Sequence, residues 1–215
     1  MTDPALEGLL AELRQVVDDD RVLSAIASLP RERFVPDDQR INAYANVALP
    51  IGAGQTISQP LVVARMLALV DPQPGERVLD VGTGSGYHAA LLARLAGHVW
   101  TIERHAELSA RARAVTETLG IENVTFVVGD GGGGLPSEAP FDVINVAAGA
   151  ETPPVALERQ LARGGRLVIP VGGQQQHLIL VRHTERGLER EQYEQVRFVP
   201  LVQDAGQGSP QTPPT

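Results

Sequence analysis

Two carboxylates and a run of alternating glycines carry the first chemical signal in this chain. Val78-Leu79-Asp80-Val81 has strand character and runs into Gly82-Thr83-Gly84-Ser85-Gly86, after which Ala89 to Ala96 reads as a helix. A strand, a tight turn and a helix start bring unpaired N–H groups and the positive end of a helix dipole to one point. Glycine belongs there because the backbone must turn through positive φ or approach a ligand closely. Glu103 ends the next strand, 21 positions beyond Gly82, where a carboxylate can accept hydrogen bonds from a ribose diol. Asp130 ends a third strand, and Gly131 beside it lets backbone approach a flat ring. Singly, each acid is as readily a helix cap or a surface group. Three successive strand ends with such residues on one sheet edge point to a nucleoside-containing ligand.

The order Gly82-x-Gly84-x-Gly86 differs from a dinucleotide fingerprint, because Tyr87 stands where its third glycine belongs. Few basic residues lie near the turn to hold a pyrophosphate. A nucleoside with a small charged tail, such as S-adenosylmethionine, fits better than NAD.

The elements that must position these residues alternate regularly. Strands are expected over 99–102, 124–128, 141–146 and 166–170, with helices over 105–119 and 154–161 between them. A final antiparallel pair is expected over 178–182 and 192–198. Repeated strand–helix units imply an α/β domain with a mostly parallel, twisted sheet and helices on both faces. Leucines at helical spacing over 4–17, and a second short helix over 21–29 behind Asp18-Asp19-Asp20, form an N-terminal helical extension. The acidic triplet reads as a solvated helix start, since no further metal ligands cluster with it. The division expected is a single domain over 1–203, with N-terminal helices and an active-site loop over 1–60 and a cofactor-binding core over 61–203. The segment 204–215 is Gly-, Pro-, Ser-, Gln- and Thr-rich and is expected to be a flexible tail.

From Ile41 to Ala64 there is no Asp, Glu, Lys or Arg, although at 20% charged content 24 residues would carry about five. Pro50, Gly52, Gly54 and Pro60 interrupt the stretch, so it is no membrane helix. Residues 44–54 read as an irregular loop, and 61–70 as a buried helix. Loops normally sit in water and carry polar residues, so an uncharged one is expected to line or lid a cavity.

Composition narrows the partners. The formal charge of −8 speaks against a phosphate-backbone footprint, hence against a nucleic-acid substrate. There is no cysteine, which leaves neither disulfides nor thiolate chemistry. The first residues lack the pattern of a signal peptide, and a cytoplasmic location is the default. The five histidines show no metal-ligand spacing and read as surface or packing residues, and Tyr87 and Trp100 as packing on the sheet. No metal site is expected.

With its glycine turn, Glu103 and Gly129-Asp130-Gly131, the chain resembles the S-adenosylmethionine-dependent methyltransferases with a Rossmann-like fold. The stretch Ala48-Leu49-Pro50-Ile51-Gly52-x-Gly54-Gln55-Thr56-Ile57-Ser58-Gln59-Pro60 is more specific, and is similar to the signature of the protein-L-isoaspartate (D-aspartate) O-methyltransferase family. Arg33-Phe34-Val35-Pro36, Ala139-Pro140-Phe141-Asp142, Gln160-Leu161 with Gly164-Gly165, Pro170-Val171-Gly172 and Phe198-Val199-Pro200-Leu201 agree with it. The chain departs from the family pattern at Ala147-Ala148-Gly149, where many members carry Thr-Ala-Ala, and in the all-glycine run Gly131 to Gly134.

The resemblance implies methyl esterification of L-isoaspartyl and D-aspartyl carboxylates in damaged proteins, a first step of repair through a succinimide. It implies that Asp80, Gly82, Gly84, Ser85 and Gly86 hold the methionine part of S-adenosyl-L-methionine, Glu103 the ribose hydroxyls, and Asp130 with Gly131 the adenine. Thr56, Ile57 and Gln59 would close over the cofactor, with Ser58 at the reacting centre. Partners would be isoaspartyl proteins and peptides, with no nucleic acid or membrane, and the chain is expected to be a monomer. Three rivals stand beside this reading: modification of aspartate in one dedicated peptide, methylation of RNA or a small molecule, and a cofactor-binding module without catalysis. Ser58 has a further role open to it, as a cap for the helix that begins near Pro60.

An isoaspartyl carboxylic acid of pKa roughly 3–4 is ionised at neutral pH, so the reaction needs aim and dryness rather than a base. A cation clamped on that carboxylate would stabilise the ground state more than a transition state in which the charge is disappearing. Neutral donors suit the step better, which gives the uncharged stretch a physical reason.

Overall fold

The computed structural model describes residues 3–202. Asp3 caps helix α1 (Pro4–Leu13) by accepting the Ala5 amide at 2.8 Å. Asp19 of the acidic triplet caps α2 (Asp20–Ser28) through the amides of Arg21 and Val22. Two 3₁₀ turns (Arg31–Phe34 and Asp37–Asn42) lead to strands β1 (Leu49–Gly52) and β2 (Gln55–Ile57), which pair antiparallel with each other only. The sequence reading had an irregular loop here. Register slips between Pro50 and Gly52, and that local irregularity hides the hairpin from any period-2 pattern. Helix α3 (Pro60–Val70) starts on a proline, buries most of its apolar surface and stops at Asp71, whose φ is 41°.

Strands β3 (Arg77–Val81), β4 (His98–Glu103), β5 (Val124–Val128), β6 (Phe141–Val146), β7 (Leu161–Val171), β8 (Gln176–Thr184) and β9 (Gly187–Val196) form one sheet in the order β5-β4-β3-β6-β7-β8-β9. The first five in that order run parallel, and β8 and β9 close the edge antiparallel. Helices α4 (Tyr87–Leu95) and α5 (Ala106–Thr118) make the crossovers from β3 to β4 and from β4 to β5. The chain then returns to the other side of β3, so β3 and β6 flank the point where winding reverses, the usual seat of a ligand in such sheets.

Val78 belongs to a core cluster shared with α1 to α5, whereas Leu79 and Val81 belong to a smaller cluster on the opposite face. That second face is covered by loops and by α6 (Val155–Glu158), a single turn where the sequence suggested a helix over 154–161. The helix stops because the Gln160 carbonyl accepts the Phe141 amide at 2.9 Å and Leu161 already pairs with β6. The expectation for 204–215 lies outside the described residues. Among those described, no helix is long and apolar enough to cross a membrane.

Candidate active site

The turn between β3 and α4 is built by glycine. Gly82, Gly84 and Gly86 have φ values of 93°, 50° and 85°, which other residues rarely adopt. The amides of Gly82 and Thr83 donate to the Ile102 carbonyl at 2.9 and 3.3 Å, fixing the turn to β4. At Gly86 a Cβ would stand 2.8 Å from the Ala112 Cβ, so α5 packs directly on the turn. Gly82, Gly84 and Ser85 line a cavity of about 400 Å³ above the carboxyl ends of β3 and β4, while Gly86 is buried behind them.

The three carboxylates part company in this setting. Glu103 lines the cavity; its Oε2 accepts the Gly84 amide at 2.9 Å and its Oε1 the His105 amide at 3.0 Å. Each oxygen keeps a further lone pair for an incoming hydroxyl. Asp80 is wholly buried and stays out of the cavity wall, contrary to a direct contact role. It lies under the turn, where Asn145 Nδ2 and Thr101 Oγ1 donate to its two oxygens at 2.7 and 2.8 Å. Burial pushes its pKa up to about 6, with Asn145 and Thr101 pulling the other way. Asp130 accepts the Gly132 amide at 2.8 Å and starts a 3₁₀ turn; its side of the segment lines a neighbouring cavity, whereas Gly131 lines the main one. A Cβ on Gly131 would fall 2.5 Å from Val81 Cγ1, so this glycine lets the backbone rest on the sheet edge. Gln160 braces the same glycine run, donating to the Gly133 carbonyl at 2.8 Å and accepting the Leu135 amide at 2.8 Å.

Thr56, Ile57 and Ser58 form the cavity's opposite wall, as a lining loop should. Gln59 does not. It lines a second cavity of about 530 Å³ with Val62, Arg197 and Phe198. Thr56, Ser58, Ala147 and Val199 belong to both walls, so the two spaces meet across these four residues. Ala53 and Gln55 join the first wall and Ala48 the second, but residues 41–47 line neither space, and Ile41 is 92% exposed. Ser58 is not the cap of α3: the Leu61 amide donates to Asn46 Oδ1 at 3.0 Å instead.

Of two buried residues at this junction, Arg31 escapes the sequence reading and His88 reads there only as a surface or packing residue. Arg31 has no exposed surface; its Nε donates to the Ala43 carbonyl at 2.9 Å and its Nη2 to the Ser58 carbonyl at 2.7 Å. The guanidinium carbon lies 4.8 Å from the centroid of the Tyr87 ring. Burial lowers its pKa to about 10, so the cation persists at neutral pH behind a loop that carries no charge of its own. Tyr87 packs edge-on to Phe34 at 5.2 Å rather than serving the sheet. His88 sits in the cavity wall, and burial, then the nearby Arg31 charge, drives its pKa down to about 3. Its Nε2 is buried without a hydrogen-bond partner among the described residues.

A family model described as Protein-L-isoaspartate(D-aspartate) O-methyltransferase matches residues 6–206. The chain belongs to this family. It is 49% identical over 213 residues to the protein-L-isoaspartate O-methyltransferase of Koribacter versatilis, covering 94% of this chain and 96% of that one. It is 54% identical over 191 residues to the enzyme of the same name from Anaeromyxobacter dehalogenans, covering 86% and 91%. A solved protein-L-isoaspartate O-methyltransferase superposes with a TM-score of 0.85 at 31% identity, over 94% of this chain and 67% of that one. A Plasmodium falciparum structure in complex with S-adenosyl-L-homocysteine superposes with a TM-score of 0.80 at 26% identity, over 92% and 98%. The residues of both cavity walls fall within the span that the family model matches.

No local signal could have singled out Arg31, since its acceptors lie 12 and 27 positions further along the chain. His88 could have been found: a polar residue in the first turn of a helix that starts at a glycine-rich strand end faces whatever the turn holds.

Proposed function

We propose that the chain binds S-adenosyl-L-methionine in the larger cavity and esterifies the free carboxylate of an L-isoaspartyl or D-aspartyl residue presented through the second. The observation that carries this is the shared wall of Thr56, Ser58, Ala147 and Val199, which gives two separate spaces one point of contact. A transfer enzyme needs that geometry, and a cofactor-binding module without catalysis does not. Membership of the family supports the activity, and the S-adenosyl-L-homocysteine held by the Plasmodium falciparum relative supports the cofactor.

The residues present fit the cofactor. Gly82, Gly84 and Ser85 leave a bare backbone surface for its methionine part, Glu103 has lone pairs for the ribose hydroxyls, and Gly131 offers a flat floor for the adenine. Asp80 and Gly86 shape the turn from behind, and Asp130 starts the loop that carries Gly131. Gln59 serves the substrate side. When bound, the cofactor supplies an electrophilic methyl carbon on a sulfonium. The chain's own task is to aim the carboxylate with the neutral donors of Thr56, Ser58 and nearby amides, and to keep water out with Ile57, Ala147 and Val199. No base has to act, which suits a neutral His88 in the wall. Residues 1–60 supply the substrate loop and 61–203 the cofactor core, although α1 to α4 share one continuous core with the sheet.

A methyl-transfer assay with an isoaspartyl peptide and its normal aspartyl twin tests this reading. Ester formation on the isoaspartyl peptide alone is the expected result. Equal labelling of both peptides, or of neither, overturns it.

A further inference from the structure

Arg31 joins three segments: the backbone at Ala43, the backbone at Ser58 in the wall common to both cavities, and Tyr87, the first residue of α4 directly behind the glycine turn. Leu49, Ile51 and Ile57 bury the apolar side of the loop in the core, and Arg31 adds a directed bond to its backbone. Strands β1 and β2 are four and three residues long and pair with nothing else, and hairpins of that size are marginal alone. We propose that Arg31 is the positioning residue of this site, fixing the Ser58 loop over the cofactor cavity and registering it against α4.

Stability alone is a poor account of this arginine. A buried cation costs more than an apolar side chain of similar volume unless its donors are well satisfied. Arg31 has no carboxylate partner among the described residues, and its Nη1 is buried without a hydrogen-bond partner among them. What a guanidinium offers here is a rigid planar fork that meets two carbonyls from different segments while lying on an aromatic face. Methionine would fill the space but hold neither carbonyl, and lysine could reach one of them without the fixed angle between donors.

The proposal rests on the reading that places Ser58 at the reacting centre, so its test separates the two. Arg31→Lys and Arg31→Met are made in the full chain. Each is examined by hydrogen–deuterium exchange, by S-adenosyl-L-homocysteine binding and by kinetics on an isoaspartyl peptide. Exchange over residues 53–59 should rise at least about tenfold, while peptides of β3 and β6 stay as protected as in the parent. The kcat should fall about ten- to hundredfold in Arg31→Met and less in Arg31→Lys, with KM and the dissociation constant of S-adenosyl-L-homocysteine within about threefold of the parent. Unchanged exchange over 53–59, or a rise shared equally by β3 and β6, overturns the proposal. A loosened loop with unchanged kcat overturns it too, and shows that the fault lies in the role given to Ser58 rather than in the hold of Arg31 on the loop. If Arg31→Met does not fold, Arg31→Lys decides by the same readings.

Discussion

The Oε2 of Glu103 accepts the amide of Gly84 at 2.9 Å, so the end of β4 is bonded into the turn that ends β3. The second oxygen accepts the His105 amide, and both hydrogen bonds are charge-assisted. Glu103→Gln keeps the shape but turns one acceptor into a donor that must face an N–H. The loss of a bond to a charged group is worth about 1.5–3 kcal/mol, and ribose hydroxyls lose an acceptor with it. S-adenosyl-L-homocysteine should therefore bind about ten- to hundredfold more weakly by titration calorimetry. An unchanged dissociation constant would remove Glu103 from the cofactor site.

Gly86 makes a structural prediction that Gly133 controls. Alanine at 86 would bring its Cβ to 2.8 Å from Ala112 while holding φ near 85°, whereas alanine at 133 meets nothing within 4 Å. Gly86→Ala should cost about 2–4 kcal/mol in denaturant unfolding, from overpacking and left-handed strain together. Gly133→Ala should stay within about 0.5 kcal/mol of the parent. Comparable losses at both sites would mean that α5 does not press on the turn.

The alternation of β3 to β7 with its helices was legible because each element is written in local hydrophobic spacing. The glycine turn and Glu103 were legible for the same reason, since a strand end fixes which edge a residue occupies. What escaped depends on contacts across the chain. Asp80 and Val81 are neighbours in a strand buried on both faces, and sequence alone does not tell which of them meets the ligand; the structure puts Val81 in the wall and Asp80 underneath. Ser58 and Gln59 are adjacent in sequence, yet Gln59 lines only the second cavity, because the chain changes direction as it enters α3. The uncharged stretch suggested a site free of cations, but Arg31 stands behind its backbone, and Arg104 and Arg197, also from outside that window, line the first and second cavities.

Asp80 gives stability a pH dependence. Its folded pKa of about 6 stands above the ordinary 3.8, with burial as the main cause. An acid whose pKa is raised on folding favours the native state at low pH, and that contribution is lost as pH climbs through about 4 to 6. The difference of about two units corresponds to about 3 kcal/mol. Asp80→Asn removes this titration but leaves the opposite one of His88, whose lowered pKa costs stability as pH falls below about 6.5. The unfolding free energy of the parent minus that of Asp80→Asn should thus decline by about 3 kcal/mol between pH 4 and 7 and then level off. A difference that is flat across this range would show that the carboxylate is ionised in the fold at all these pH values.

The choice of neutral donors over a cation is tested on both sides of Ser58. Ser58→Ala removes a neutral donor from the wall common to the two cavities. A hydrogen bond worth about 1 kcal/mol in aiming the carboxylate predicts a kcat about five- to tenfold lower, with little change in S-adenosyl-L-homocysteine binding. Gln59→Lys does the reverse, adding a flexible ammonium from a half-buried position to a second cavity whose wall otherwise carries only the exposed Arg197 as a cation among the described residues. An ammonium beside the carboxylate binds the ground state more strongly than the transition state, where the negative charge is being consumed by the new C–O bond. The KM for an isoaspartyl peptide and the kcat should each fall about tenfold, so that kcat/KM changes little and the turnover at saturation drops. A Gln59→Lys protein that turns over faster at saturation would mean that the site can use a cation on its substrate, and the physical reason given for the uncharged loop would fail with it.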